Sequence, residues 1–243
     1  MIFCGKTDVG QRRANNQDNF SITVLPDGAH LLTVCDGMGG ANGGNIASDI
    51  ACRVFSEEVE RRYRSVSTSY EALLCESVAI ANRAVYEAAR ADEALTGMGT
   101  TLVAALVQPD GTVYAVNVGD SRLYCLTGGE IRQISRDHSY VQYLVDMGQI
   151  TIEEAKKASI RNIIIRSIGN EAEAHPDSFS FTLAKEDVLL LCTDGLTNCV
   201  SNEVIAATVT TANADPETCA ACLIDRANQG GGYDNITVVL GHR

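Results

Sequence analysis

Apolar runs rich in β-branched residues recur along this chain, and five of them meet an aspartate at a turn. Asp18 precedes the alternating run Phe20-Ser21-Ile22-Thr23-Val24 and Asp36 follows HLLTVC. Asp120 follows TVYAVNVG, Asp194 follows DVLLLCT, and Asp234 precedes NITVVL. Runs of this length and composition read as strands. Carboxylates at strand ends can converge on one edge of a sheet although far apart in sequence. A single Asp before Gly is ordinarily a turn former. Five together repel one another and call for cations, and hard oxygen donors suit Mg²⁺ or Mn²⁺ rather than zinc or copper. The pattern points to a metal site built from carboxylates.

The 243 residues, 45% of them apolar, suffice for one large domain with a substantial core. Strand runs are expected at 100 to 107, 112 to 118, 121 to 126, 178 to 183 and 187 to 192. Helical spacing is expected from about Asn45 to Tyr63 and from Tyr70 to Ala91. Residues 138 to 170 carry two short helical patterns, the second opened by a capping box of Thr151 and Glu154. Ser201 and Asp215 are candidate caps of two late helices, the second with Pro216 at its first position. Strands in runs, broken by pairs of helices without βαβ alternation, favour an antiparallel α+β architecture.

A net charge of −12, from 31 acidic and 19 basic residues, disfavours nucleic acid as a partner. No run approaches the length of a membrane span, and the start MIFCGKTDVG lacks a signal-peptide profile. A soluble cytoplasmic domain is expected, alone or with a membrane-anchored tail. The nine cysteines are odd in number and several lie in apolar runs, so buried, reduced thiols are expected. Cys219 and Cys222 have zinc or redox spacing but no second pair.

Six strings follow one another along the chain: TDVGQRRANNQD (7 to 18), DGMGG (36 to 40), GMGTTLVAAL (97 to 106), VGDSRLY (118 to 124), TDGL (193 to 196) and GGYDNITVV (231 to 239). In these strings and their order the chain resembles the metal-dependent protein serine/threonine phosphatases, the PPM or type 2C family, in its bacterial form. The resemblance spans residues 7 to 239 and implies one catalytic domain over 1–243. It implies an α+β, four-layer αββα sandwich, with two antiparallel sheets flanked by helix pairs. Residues 138 to 170 would be a flap over the active site.

By motif position the resemblance implies that Asp36 bridges two Mn²⁺ or Mg²⁺ ions, the Gly37 carbonyl helping to hold one. Asp194 and Asp234 would ligate the other, with Asp18 near it directly or through water. Asp120 would form a third, weaker site with Asp194. Arg13 matches the phosphate-binding arginine, a role that suits a planar guanidinium. Two cations can activate a water and stabilise a transferring phosphoryl group. Asp8 and Asn235 read as structural, and Gly39 and Gly40 as serving the backbone after Asp36.

Other phosphatase chemistries fail simple tests. No cysteine is followed six positions on by Arg, no Asp-x-Asp triplet occurs, and neither GxxxxGK[ST] nor HExxH is present. Four scattered histidines (His30, His138, His175, His242) do not suggest a histidine-rich dinuclear site. Two positions depart from the family pattern: Met38 stands where eukaryotic relatives carry a histidine, and Ala41 where many bacterial members do. The proton donor could then be a water on a cation, another residue, or none. His138 reads as structural.

The expected activity is hydrolysis of phosphoserine and phosphothreonine in proteins, opposing serine/threonine kinases in a bacterial cytoplasm. The partners would be phosphorylated proteins, those kinases included, with no nucleic acid or membrane contact, and the chain would be a monomer. Rival readings are a phosphatase specialised for one phosphoprotein switch and a catalytically dead binding module.

Overall fold

Six consecutive buried residues, Leu102–Val107, show how the layers of this molecule arise. Leu102, Ala104 and Leu106 pack in one apolar cluster, while Val103, Ala105 and Val107 pack in another. Side chains alternate across a strand, so this run stays apolar because both of its faces are covered.

The computed structural model describes residues 1–65, 69–212 and 215–243, the side chains of 40–42 excepted. In chain order the first elements are β1 (Ile2–Asp8), β2 (Asp18–Val24), β3 (His30–Met38), α1 (Gly40–Tyr63), α2 (Tyr70–Ala91), β4 (Gly99–Thr100), β5 (Leu102–Val107) and β6 (Thr112–Val118). There follow β7 (Arg122–Thr127), β8 (Glu130–Gln133), α3 (Tyr140–Asp146), α4 (Ile152–Lys157), β9 (Asp177–Thr182) and β10 (Val188–Cys192). The last are α5 (Asp194–Thr197), α6 (Asn202–Thr211), α7 (Pro216–Gln229) and β11 (Ile236–His242).

The strands form two antiparallel sheets, one ordered β1-β11-β10-β7-β8 and the other β2-β3-β5-β6-β9 with β4 paired to β3. The sheets face each other across Leu32, Val34, Val103, Leu123, Leu189, Leu191 and Val239. Helices α1 and α2 cover the second sheet through Phe55, Val59, Leu74 and Val78. Helices α5, α6 and α7 cover the first through Leu196, Ile205, Leu223 and Ile224. Burying each such side chain contributes about 1.5–3 kcal/mol. The expected αββα sandwich is present.

The caps follow the sequence closely. Thr151 and Glu154 close a reciprocal capping box on α4. The Asp215 side chain accepts from the Thr218 amide ahead of Pro216. Ser201 stands at the N-cap of α6 without a side-chain bond to its first amides. Three features differ from expectation. Helix α1 starts at Gly40 rather than near Asn45, and the edge strands β1 and β8 were not legible as strands. Cys35, Cys52, Cys125, Cys192 and Cys219 are buried, the other four are half-buried, and none forms a disulfide. No helix among the described residues is long and apolar enough to cross a membrane.

Candidate active site

Strand pairing brings the first two carboxylates together. In the β2–β3 ladder Asp18 lies directly opposite Asp36, an arrangement that like charges disfavour. Asp194 opens α5 just past the end of β10, and Asp234 sits ahead of β11, the neighbour of β10. Asp120 follows β6 on the turn into β7. A cleft of about 470 Å³ is lined by Arg13, Gln17, Asp36, Gly37, Met38, Asp120, Asp194 and Asp234, with Asn162 and Ile164 contributed by the 138–170 segment.

Burial and mutual repulsion set the charge state of these groups. Burial, then the charges of Asp18, Asp194, Asp120 and Asp234, holds the Asp36 carboxyl well above the usual carboxylate range. Burial raises Asp120 to about 8, with Asp194 and Asp137 adding to it and Arg122 opposing. Asp18 rises to about 7, again through burial and despite hydrogen bonds from Thr237 and Thr193. Asp194 rises to about 6 through burial and then Asp234, partly offset by a hydrogen bond from Asn198. Four carboxyl groups that resist ionisation side by side lower their energy when positive charge joins them.

The donors around the cluster leave particular oxygens open. Asp18 Oδ2 accepts from Thr237 Oγ1 at 2.7 Å and Thr193 Oγ1 at 2.9 Å, whereas Asp18 Oδ1 is buried without a hydrogen-bond partner. Asp194 Oδ2 accepts from Asn198 Nδ2 at 2.9 Å, and Asp194 Oδ1 is likewise buried and unpartnered. A buried carboxylate oxygen with no donor is costly and suits a cation. Among the described residues no group of three or more His, Cys, Asp or Glu side chains is arranged to hold an ion as it stands. Mg²⁺ and ions like it retain several waters and need only one or two carboxylates each. The donor set therefore fits hard divalent ions held largely through water.

Arg13, on the exposed rim, donates from a terminal guanidinium nitrogen to Asp234 Oδ2 at 2.7 Å. Asn235 holds the loop that carries Arg13. Its side chain accepts from the Gln17 amide and donates to the Val9 and Asn15 carbonyls. Asp8 is structural, accepting from the Gly10 amide and from Asn228. Gly37 lets the start of α1 press against the loop that follows Asp36, since a Cβ there would lie 2.0 Å from the Gly44 carbonyl oxygen. Met38 faces the cleft with a thioether that has no proton to give; the Ala41 side chain lies outside the described residues.

His138 is buried away from the cleft lining. Its Nδ1 accepts from the Gly119 amide and its Nε2 lies 3.2 Å from Asp177 Oδ2. Burial lowers its pKa, Asp177 opposing, so the imidazole is neutral and structural. Cys219 is buried in the core on α7 and Cys222 is half-buried on the same helix, and neither lines the cleft. Thr193, Thr237, Asn198, Asn162 and Ile164 escaped the sequence reading. The only signal for the first two is that they lie within the TDGL and GGYDNITVV strings.

The model of the protein phosphatase 2C family matches residues 7–221. The serine/threonine phosphatase Stp of Listeria welshimeri is 37% identical over 239 residues, which is 98% of this chain and 94% of that protein. The serine/threonine phosphatase of S. agalactiae superposes with a TM-score of 0.92 at 36% identity, covering 100% of this chain and 99% of that one. The catalytic domain of the phosphatase PstP in complex with two manganese ions superposes at 0.85 with 34% identity, covering 98% and 96%. Matched by that family model over most of its length, and 37% identical to a curated relative across 98% of its residues, this chain belongs to the protein phosphatase 2C family.

Proposed function

We propose that this serine/threonine protein phosphatase hydrolyses phosphoserine and phosphothreonine in other proteins at the Asp36–Asp194–Asp234 cleft, with two Mn²⁺ or Mg²⁺ ions as cofactors. The observation that carries the reading is the pair of buried, unpartnered carboxylate oxygens, Asp18 Oδ1 and Asp194 Oδ1, among acids whose ionisation burial and neighbouring charges oppose. Asp36, with the Gly37 carbonyl, and Asp194 with Asp234 would hold the two ions, Asp18 standing beside the second and Asp120 offering a weaker third position. Bound there, divalent cations supply a nucleophilic water near neutral pH and neutralise charge on the phosphoryl oxygens. The two manganese ions of the PstP complex support this reading.

The chain's own residues do the rest. Arg13 stands at the mouth with a fork of donors suited to two phosphate oxygens. Its contact with Asp234 ties the phosphate grip to the carboxylate wall. Thr193 and Thr237 fix the Asp18 carboxylate so that its other oxygen faces inward. Asn162 and Ile164 close one side of the cleft, which is the part expected of a flap formed by residues 138–170 within a single domain. Met38 cannot protonate the leaving alkoxide, so that proton comes from another group. The setting we infer is a bacterial cytoplasm, where the enzyme acts as a monomer and opposes serine/threonine kinases.

The test is hydrolysis of p-nitrophenyl phosphate and of a phosphothreonine peptide, with and without Mn²⁺. Both are hydrolysed only with the cation on this reading. No turnover with any divalent cation would make the chain a phosphoprotein-binding module instead.

A further inference from the structure

The GMGTT string contributes no acid, base or phosphate ligand, yet its two threonines are fully buried between the carboxylate-bearing segments. Thr101 Oγ1 accepts from the Asp36 amide at 2.9 Å and shares a 2.7 Å hydrogen bond with Ser121 Oγ, the residue after Asp120. The Thr101 amide donates to the Asp36 carbonyl at 2.8 Å, so both backbone groups of Asp36 end on this one residue. The Thr101 methyl lies beneath Gly119, where a Cβ would meet it at 2.6 Å; Gly119 also has φ +112, a left-handed conformation open to glycine. Thr100 adds a brace: its hydroxyl donates to the Asp36 carbonyl at 2.8 Å, and its backbone exchanges two hydrogen bonds with Ile168.

We infer that Thr101 is a positioning residue that fixes the spacing between Asp36 and the turn bearing Asp120, its hydroxyl on the Asp36 amide and on Ser121 and its methyl under Gly119. The inference rests on the proposed cation site and goes beyond it by assigning the device that sets its geometry. A hydroxyl is needed because Asp36 N–H is a donor and Ser121 Oγ can both give and receive a proton. A branched methyl is needed because only a group of that size fills the space under Gly119. Neither serine nor valine supplies both. The hub also reaches the 138–170 segment through Ile168, so that segment and Asp36 share one support.

The experiment compares Thr101→Val, Thr101→Ser and Ser121→Ala with a control, Thr33→Val. Thr33 is an equally buried residue on β3 whose hydroxyl meets Ser56. Each variant is titrated with Mn²⁺ by calorimetry, and p-nitrophenyl phosphate kinetics are recorded at saturating Mn²⁺. Thr101→Val should weaken Mn²⁺ binding about tenfold or more and lower kcat by a similar factor with KM within about twofold, the range seen when groups supporting a metal ligand are removed. Thr101→Ser, which keeps the hydroxyl but loses the methyl, should recover only part of the Mn²⁺ affinity, and full wild-type affinity in it would show that the methyl is not needed. Ser121→Ala, which leaves Thr101 in place and guards against a misfolded valine variant, should lie between wild type and Thr101→Val. Thr33→Val should melt lower with Mn²⁺ affinity and kcat unchanged. The inference is overturned if Thr101→Val binds Mn²⁺ and turns over like wild type, or if Thr33→Val loses Mn²⁺ affinity as much as Thr101→Val does. A wild-type protein that takes up no Mn²⁺ would overturn the cation site itself, an outcome separate from either of these.

Discussion

Asp18 illustrates how a carboxylate is aimed. Two threonine hydroxyls, from Thr193 and Thr237, bond the same oxygen and leave the other inward and unpartnered. Both hydroxyls also lower the Asp18 pKa against burial, which raises it. Thr237→Val keeps the shape and removes one donor. It should weaken Mn²⁺ binding about tenfold, as outer partners of metal ligands do, with the fold intact. Calorimetric titration with Mn²⁺ checks this, and an unchanged affinity would mean that Asp18 needs no aiming. The five aspartates were legible in the sequence because each stands at one end of a strand-like run. The threonines were not, because their partner is 175 and 219 residues away in the chain and only the fold joins them.

At the scale of elements, α1 shows where local pattern and structure part. Four of its first five residues, Gly40, Asn42, Gly43 and Gly44, are poor helix formers, so the sequence pattern begins only near Asn45. The structure begins the helix at Gly40 because glycine there allows close approach: a Cβ on Gly44 would stand 2.7 Å from the Gly37 carbonyl oxygen and 2.8 Å from the Gln17 side chain. Gly to Ala inside a helix is ordinarily stabilising by up to about 1 kcal/mol. Gly44→Ala should do the reverse, because the clash is with backbone that also holds the proposed cation ligand Gly37. Thermal melting and p-nitrophenyl phosphate turnover should both fall, the latter by at least about tenfold, since displacements near 1 Å can cost as much as 10²-fold. An alanine variant that melts higher and works normally would remove this reading. The strands β1 and β8 escaped sequence reading for a different reason. They are edge strands with one neighbour each, no residue of either is fully buried, and β8 has four residues. Partly solvated edges lack the unbroken apolar signature of β5 and β10.

For the molecule as a whole, the carboxylate cleft is an unfavourable charge that folding must create. An ordinary Asp ionises near 3.8, but burial and neighbouring charges raise Asp194, Asp18 and Asp120 to about 6, 7 and 8 in the folded state, and Asp36 is also held well above the ordinary value. Between the unfolded and folded values the native state binds more protons than the unfolded one. Stability of the cation-free protein therefore falls as pH rises through that window, from about 4 to about 8. Protein stripped with a chelator should melt at least about 5 °C lower at pH 8 than at pH 5. One pKa unit is worth about 1.4 kcal/mol, and 1 kcal/mol moves a domain of this size by about 2–4 °C. Saturating Mn²⁺ should abolish or invert the trend, because the ions bind the ionised form. A melting temperature that rises steadily to pH 8 without cations would mean that the acids do not confront one another.

The central claim is that these aspartates form a divalent-cation site, and counting the ions tests it most directly. Equilibrium dialysis against Mn²⁺ at pH 7.5, followed by elemental analysis, should find about two ions per wild-type chain, as in other two-metal hydrolases. Asp194→Asn, which removes one ligand charge at nearly constant volume, should retain fewer ions and keep its fold. Wild-type protein that emerges without Mn²⁺, or an Asp194→Asn variant that retains the full complement, would contradict the account.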